Sequence, residues 1–173
     1  MITSSVHSDL KWFAVYTHSR AEKKVHERAV NAGFETFLPL VTKIQQWSDR
    51  KKKVKVPLIN SYVFVHTNKN NLNTILTIPG VLTILKHLGK PAVVKDVEIA
   101  NLKVVVNAED VEINVIGSMD LTKGENVEVL KGPFAGLLAK CVDFAGKHRV
   151  IIELEALRSC IEVNLPLNSI RKI

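Results

Sequence analysis

Residues 12–16 read WFAVY, an aromatic and β-branched run that predicts a buried strand. The apolar spacing then changes from continuous to three and four: Ala21, Val25, Ala29 and Ala32 share one face of a helix. Ser19 and Glu22 stand three apart, as in a capping box, and Gly33 supplies the left-handed residue that ends such a helix. Arg20, Lys23, Lys24 and Arg28 are left on its outer side.

Residues 35–41 (ETFLPLV) begin as a strand, but Pro39 lacks an amide hydrogen and belongs at an edge, a bulge or a strand end. Residues 43–47 (KIQQW) and the alternating 53–56 (KVKV) flank Ser48 and Asp49, which predicts a β-hairpin whose tip carries DRKKK over 49–53. That tip is too polar to pack; it is a solvated loop or a reaching arm. Residues 61–65 (SYVFV) form the most apolar strand and belong centrally in a sheet. Asn68 to Asn70 can cap a helix over 72–78, Pro79 and Gly80 turn the chain into a strand over 81–85, and a turn over 89–91 leads to a helix capped by Asp96 and bearing Ile99, Leu102 and Val105. Helices and strands that mix without strict alternation predict an α+β layer on a mostly antiparallel sheet.

From 107 to 122 the pattern loosens, and Asp110, Glu112, Gly117 and Ser118 mark a linker. Five short strand-like runs follow at 126–130, 137–143, 149–154, 159–163 and 169–172, separated by turn residues at spacings that suit a small five-stranded β-barrel. The resulting organisation is an α+β domain over 1–107, a linker over 108–121 and a barrel over 122–173.

Hydrophobic residues at 46% and charged ones at 24% fit a folded chain rather than a disordered one. The first residues lack a secretory signal and no later run reaches the ~18 apolar residues of a membrane span, so a cytoplasmic protein is expected. Cys141 and Cys160 lie far apart without C-x-x-C pairing, which favours reduced thiols over a disulfide or zinc site. The six histidines (7, 18, 26, 66, 87 and 148) show no metal spacing and the glycines form no phosphate loop. No catalytic residue, metal or cofactor is predicted.

Charge sharpens the picture. Residues 1–57 hold 11 Lys/Arg against 5 Asp/Glu, 58–122 hold 5 against 6, and 123–173 hold 8 against 6. The positive field of this +7 chain therefore belongs to its first third. It suits a polyanion or an acidic protein surface, and equally serves solubility.

Two groups of residues carry a family resemblance. Residues 123–136 (KGENVEVLKGPFAG) resemble a KOW motif, the signature of a small SH3-like barrel in transcription elongation factors and ribosomal proteins. Ala139 stands where such motifs usually place another glycine. Upstream, WFAVY at 12–16, ETFLP at 35–39, WSDR at 47–50, Pro57 with Leu58, SYVFV at 61–65 and PGV at 79–81 follow in order the N-terminal domain of the NusG family. The resemblance runs from about Lys11 to the C-terminus. The FLP and WSDR segments are most similar to specialised paralogues acting on long operons such as surface-polysaccharide loci.

The resemblance implies a transcription elongation or antitermination factor, not an enzyme, that docks on the clamp helices of RNA polymerase's largest subunit and reduces pausing or termination. Trp12, Phe37, Pro39, Tyr62, Phe64 and Val81 match the polymerase-binding pocket, although Trp12 and Phe64 also suit a plain core. His18, Arg20, Lys23 and Lys24 fall where family members approach the non-template DNA strand, and Arg50, Lys51, Lys52 and Lys53 form a second nucleic-acid candidate. The barrel would recruit a ribosomal protein or a termination factor, with Phe134 either its contact residue or a plug of the barrel end. The competing expectation is a ribosome-associated or general RNA-binding KOW protein.

Overall fold

The computed structural model describes residues 9–46, 50–108, 113–117, 124–144, 147–165 and 167–173. Trp47, Ser48 and Asp49 of the expected hairpin tip lie outside them, as do the first eight residues and much of the expected linker. In chain order the first elements are β1 (Lys11–Thr17), α1 (Glu22–Asn31), β2 (Glu35–Phe37), β3 (Leu40–Gln46), β4 (Lys51–Pro57) and β5 (Tyr62–Thr67). Next come α2 (Leu72–Leu76), β6 (Val81–Ile84), β7 (Lys86–His87), β8 (Lys90–Pro91), β9 (Val93–Val94) and α3 (Asp96–Asn107). The last third holds β10 (Ile113–Gly117), β11 (Glu125–Val129), β12 (Leu138–Phe144), β13 (Lys147–Leu154), β14 (Ser159–Val163) and β15 (Ile170–Lys172).

Packing divides the chain into two compact units, one holding the residues up to Leu38 with Ile59–Lys95, the other Pro39–Leu58 with Asp96–Ile173. The first unit is built on an antiparallel sheet ordered β2-β5-β1-β6, with β9 also on β1. β1 is central, and β5 is flanked on both sides, as its unbroken apolar run requires. Phe13, Val15, Val63 and Val65 are buried on one face of the sheet, each side chain contributing about 1.5–3 kcal/mol through burial. Val25 and Ala29 of α1 are buried with them, while Ala32 is exposed.

The end of α1 is as its sequence requires. Gly33 takes φ +87°, and the amides of Ala32, Gly33 and Phe34 return to the carbonyls of Arg28, Val30 and Ala29. Its start is not. The capping residue is Ala21, without a side-chain cap bond, so the Ser19–Glu22 capping box is absent. Arg20 occupies φ +63° between Ser19 and the helix, which takes the serine out of capping position, and Glu22 is drawn elsewhere.

The second unit contains a six-stranded antiparallel sheet ordered β10-β14-β13-β12-β11-β15. Five of its strands coincide with the five expected runs; the sixth, β10, comes from within the stretch expected as linker. Its residues 113–117 (INVIG) pair along all of β14, so alternating apolar residues found a partner that their short length did not advertise. Val127, Val129, Phe134, Leu137, Val150, Ile152, Leu154, Ile161 and Val163 are buried in this unit.

α3 belongs to the same unit through two buried polar side chains, Glu98 and Asn101, one turn apart. Asn101 accepts from the Leu138 amide (3.2 Å) and donates to the Leu138 carbonyl (2.6 Å), pairing with β12 as a strand would. Glu98 Oε1 accepts the amide of Glu155 at 2.7 Å. β3 and β4 form a separate antiparallel ribbon with Leu40 opposite Pro57 and Gln46 opposite Lys51. Pro39 sits just before it, outside any ladder, where its missing donor costs nothing.

Candidate functional site

Residues directly opposite each other in an antiparallel sheet project to the same face. The register Trp12 to His66, Ala14 to Phe64 and Tyr16 to Tyr62, with Phe37 beside Phe64, therefore lays a band of rings across one face of the first unit's sheet. Trp12 stacks on His66 at 4.7 Å and 19°, Phe37 on Phe64 at 6.2 Å and 28°, and Tyr16 meets Tyr62 at 5.2 Å and 53°. The opposite face is the one toward α1, since Thr36 on it bonds His26 Nδ1 at 2.7 Å.

The ring band is graded. Phe64 is fully buried and Trp12 nearly so; these two are core. Phe37 and Tyr62 are half-buried, and Tyr16 is 38% exposed. Burial, and then the neighbouring Tyr16, raise the pKa of the Tyr62 hydroxyl above the ordinary phenol value. Val81 is half-buried but registers with Thr17 beyond a β-bulge, outside the band. Pro39 is buried and falls at the first residue of the second unit.

Tyr16 is the residue the sequence reading missed, taken as part of a buried strand. Alternation could have found it, because 12, 14 and 16 share a face and the last lies nearest the strand end.

Lys23 and Lys24 are exposed on α1, and Arg20 and His18 are exposed just before it. Backbone bonds fix that corner: the His18 amide donates to Gly80 O (2.9 Å) and its carbonyl accepts from the Ala21 amide (3.1 Å). Arg28 is committed to structure, its guanidinium donating to the Pro79 carbonyl. Gly80, at φ +101°, approaches α1 so closely that a Cβ there would stand 2.8 Å from Val25 Cγ2. The exposed cations beside this corner thus stand next to a backbone held by several hydrogen bonds.

In the second unit Arg50, Lys51, Lys52 and Lys53 are all exposed on the β3–β4 ribbon. Phe134, open in the sequence between a partner contact and a plug of the barrel end, is fully buried. The turn folds it inward, with the Leu137 amide returning to the Phe134 carbonyl at 3.0 Å. Four cations of the six-stranded sheet are paired: Arg149 with Glu162 (3.0 Å), Arg171 with Glu128 (2.6 Å), Lys172 with Glu125 (2.7 Å) and Lys140 with Glu153 (3.7 Å). Among the described residues no group of three or more His, Cys, Asp or Glu side chains is placed to hold a metal ion, and no helix is long and apolar enough to cross a membrane.

Comparison with known proteins bears on this arrangement. Over 186 aligned residues the chain is 25% identical to the transcription termination/antitermination protein NusG of Rickettsia prowazekii (strain Madrid E), covering 99% of this chain and 95% of that one. Similar solved structures include that of Thermotoga maritima NusG described for its domain interaction, with 24% identity, a TM-score of 0.49 and coverage of 95% and 97% of the two chains. Another is the MjSpt4:Spt5 complex in conformation A, with 22% identity, a TM-score of 0.31 and coverage of 94% and 97%. The family profile described as transcription termination factor nusG matches residues 10–103, more than half of the chain and the whole ring band with α1, so this chain belongs to the NusG family of transcription factors.

Proposed function

We propose that the chain is a transcription elongation or antitermination factor that docks the ring band of its first unit on the clamp helices of RNA polymerase, in the cytoplasm. The observation that carries this reading is the Tyr16–Tyr62 pair, two amphipathic rings in contact on the same face as the buried Trp12 and Phe64. Rings with a wet hydroxyl edge bury much area at small entropy cost and dominate interface energetics. Phe37 extends the contact, while the buried Trp12 and Phe64 flank it on the same face.

With that face engaged, Arg20, Lys23 and Lys24 would track phosphates of the non-template DNA strand, and His18 would stack on or bond an unpaired base. The factor would favour the paused-resistant polymerase only by binding that state more tightly than the paused one. The FLP segment at 37–39 supports a specialised paralogue serving long operons. Residues 122–173 act as the KOW barrel, recruiting a ribosomal protein or a termination factor through residues other than Phe134. The glutamate pairing of Lys140, Arg149, Arg171 and Lys172 weighs against a general RNA-binding role for that part.

The test is capture of core RNA polymerase by the intact chain and by Tyr62→Ala. Retention by the intact chain with loss in the variant is expected; equal capture by both removes the ring band from the contact.

A further inference from the structure

The six-stranded sheet of the second unit ends on two strands that differ in how they guard their open sides. β15 carries Arg171 and Lys172, both exposed and paired with glutamates of β11, and so sets charge along its edge. β10 reads INVIG over 113–117 and holds neither a charged residue nor a proline, two devices that keep an edge strand from pairing with another chain. Among the described residues its one strand partner is β14, so the backbone groups of alternate residues face outward along its other side. No residue of the strand is buried; Asn114 and Val115 are exposed, Val115 at 42%. Ile116 packs against the buried Ile151 and Cys160, which holds β10 to its own sheet.

We propose that the open side of β10 pairs antiparallel with β10 of a second copy of this chain, joining two six-stranded sheets across a twofold axis. The strand is self-complementary in that arrangement. With the axis at Val115, Val115 meets its own copy, Ile113 lies opposite Gly117 and Asn114 opposite Ile116, so no rung sets a charge against its like. Facing β-branched residues also make a favourable cross-strand pair. A neutral edge offers main-chain hydrogen bonds without a charge to select an acidic or a basic partner, and an identical neutral edge answers it rung for rung. Repulsion between two chains of net charge +7 opposes the contact, so salt strengthens it. An association built on ion pairs or on bound nucleic acid weakens with salt instead.

This interface goes beyond the polymerase reading and uses none of its residues. The test is sedimentation velocity of the full chain under reducing conditions. So short an edge belongs to the small, weak class of interface, and the range needed is about 10 μM to about 1 mM. The sedimentation coefficient is expected to rise with concentration, and to rise further in higher salt. A chain that stays monomeric throughout leaves the edge to some other protein and overturns the proposal, as does association that salt dissolves. Two substitutions add the same charge at exposed apolar positions: Val115→Lys on the axis, and Leu130→Lys, 43% exposed, just past β11. The first sets lysine against lysine and should weaken dimerisation about tenfold or more, while the second should leave it close to that of the intact chain. Equal weakening by both refers the effect to net charge and overturns the proposal. Asn114→Pro and Val115→Pro separate the contact from folding. Adjacent residues of a strand turn their amides to opposite sides, so one proline removes a donor to β14 and lowers the melting temperature, and the other removes a donor from the open side. The variant that keeps its melting temperature should be monomeric; undiminished dimerisation in it sinks the assignment of the contact to β10.

Discussion

Glu22 Oε1 accepts the backbone amide of Ser61 at 2.7 Å, joining the first turn of α1 to the residue before β5, 39 positions along the chain. Ser61 sits at φ +63°, and its carbonyl accepts from the Thr17 amide at 2.8 Å, so its strained backbone is held at both ends. The glutamate is 5% exposed, and without it a donor would be left inside the fold. The bond also places Tyr62, the next residue.

Glu22→Ala is therefore expected to destabilise the protein by about 1.5–3 kcal/mol, the range for losing a hydrogen bond to a charged group. Glu22→Gln, which keeps an acceptor, should cost less, and Ser19→Ala should change little because Ser19 caps nothing. Chemical denaturation of the three variants checks the order. A Ser19→Ala cost matching that of Glu22→Ala would restore the capping box.

Gly80 and Gly33 separate backbone conformation from contact. Both take positive φ, at +101° and +87°, but a Cβ on Gly33 meets nothing within 4 Å while one on Gly80 runs into Val25. Gly33→Ala should cost about 1 kcal/mol from conformation alone, and Gly80→Ala should cost about 1–3 kcal/mol more from overpacking against α1. Thermal melts of the two variants read the difference directly.

His26 gives the fold a pH dependence with a definite sign. Burial lowers its pKa below the ordinary 6.5, so the folded state prefers the neutral ring that bonds Thr36. The unfolded chain then binds more protons below about 6.5, and stability rises with pH through that window. The contribution is complete above the unfolded value and is lost as pH falls beneath it. His26→Gln should flatten the slope of stability against pH between about 7 and 5 by roughly the contribution of one histidine, read by denaturation at several pH values.

Tyr16 bears on the polymerase proposal independently of Tyr62. Tyr16→Ala removes the more exposed ring of the pair and should weaken capture of core polymerase about tenfold or more, as truncation at an interface hot spot does. Phe64→Ala makes a different comparison. Its ring is wholly buried, so that variant should lose about 3–5 kcal/mol of stability before its effect on capture can be read.

Legibility in the sequence followed the range of the forces involved. Local signals were readable: the stop at Gly33, the Asn68 cap, whose side chain accepts from the Asn71 amide, and the five runs of the later sheet. Trp12, Phe37, Tyr62 and Phe64 of the ring band were also visible, because aromatic identity alone implies large buried area, whereas Tyr16 was not. Glu22 misled because a capping motif four residues long cannot reveal a competing donor 39 positions away. β10 was hidden for a related reason, since its five residues become a strand only by pairing with β14. Phe134 was ambiguous in sequence, where a ring on a glycine-flanked turn reads alike whether it points out or in.

Asn101 has a consequence for where the chain can be cut. Its amide stands in for a neighbouring strand at Leu138, and Glu98 does the same service at Glu155. A fragment starting at residue 108, where hydrophobic patterning alone would set the scissors, strips three main-chain groups of their mates. One starting at Asp96 keeps them, and should melt at the higher temperature of the two.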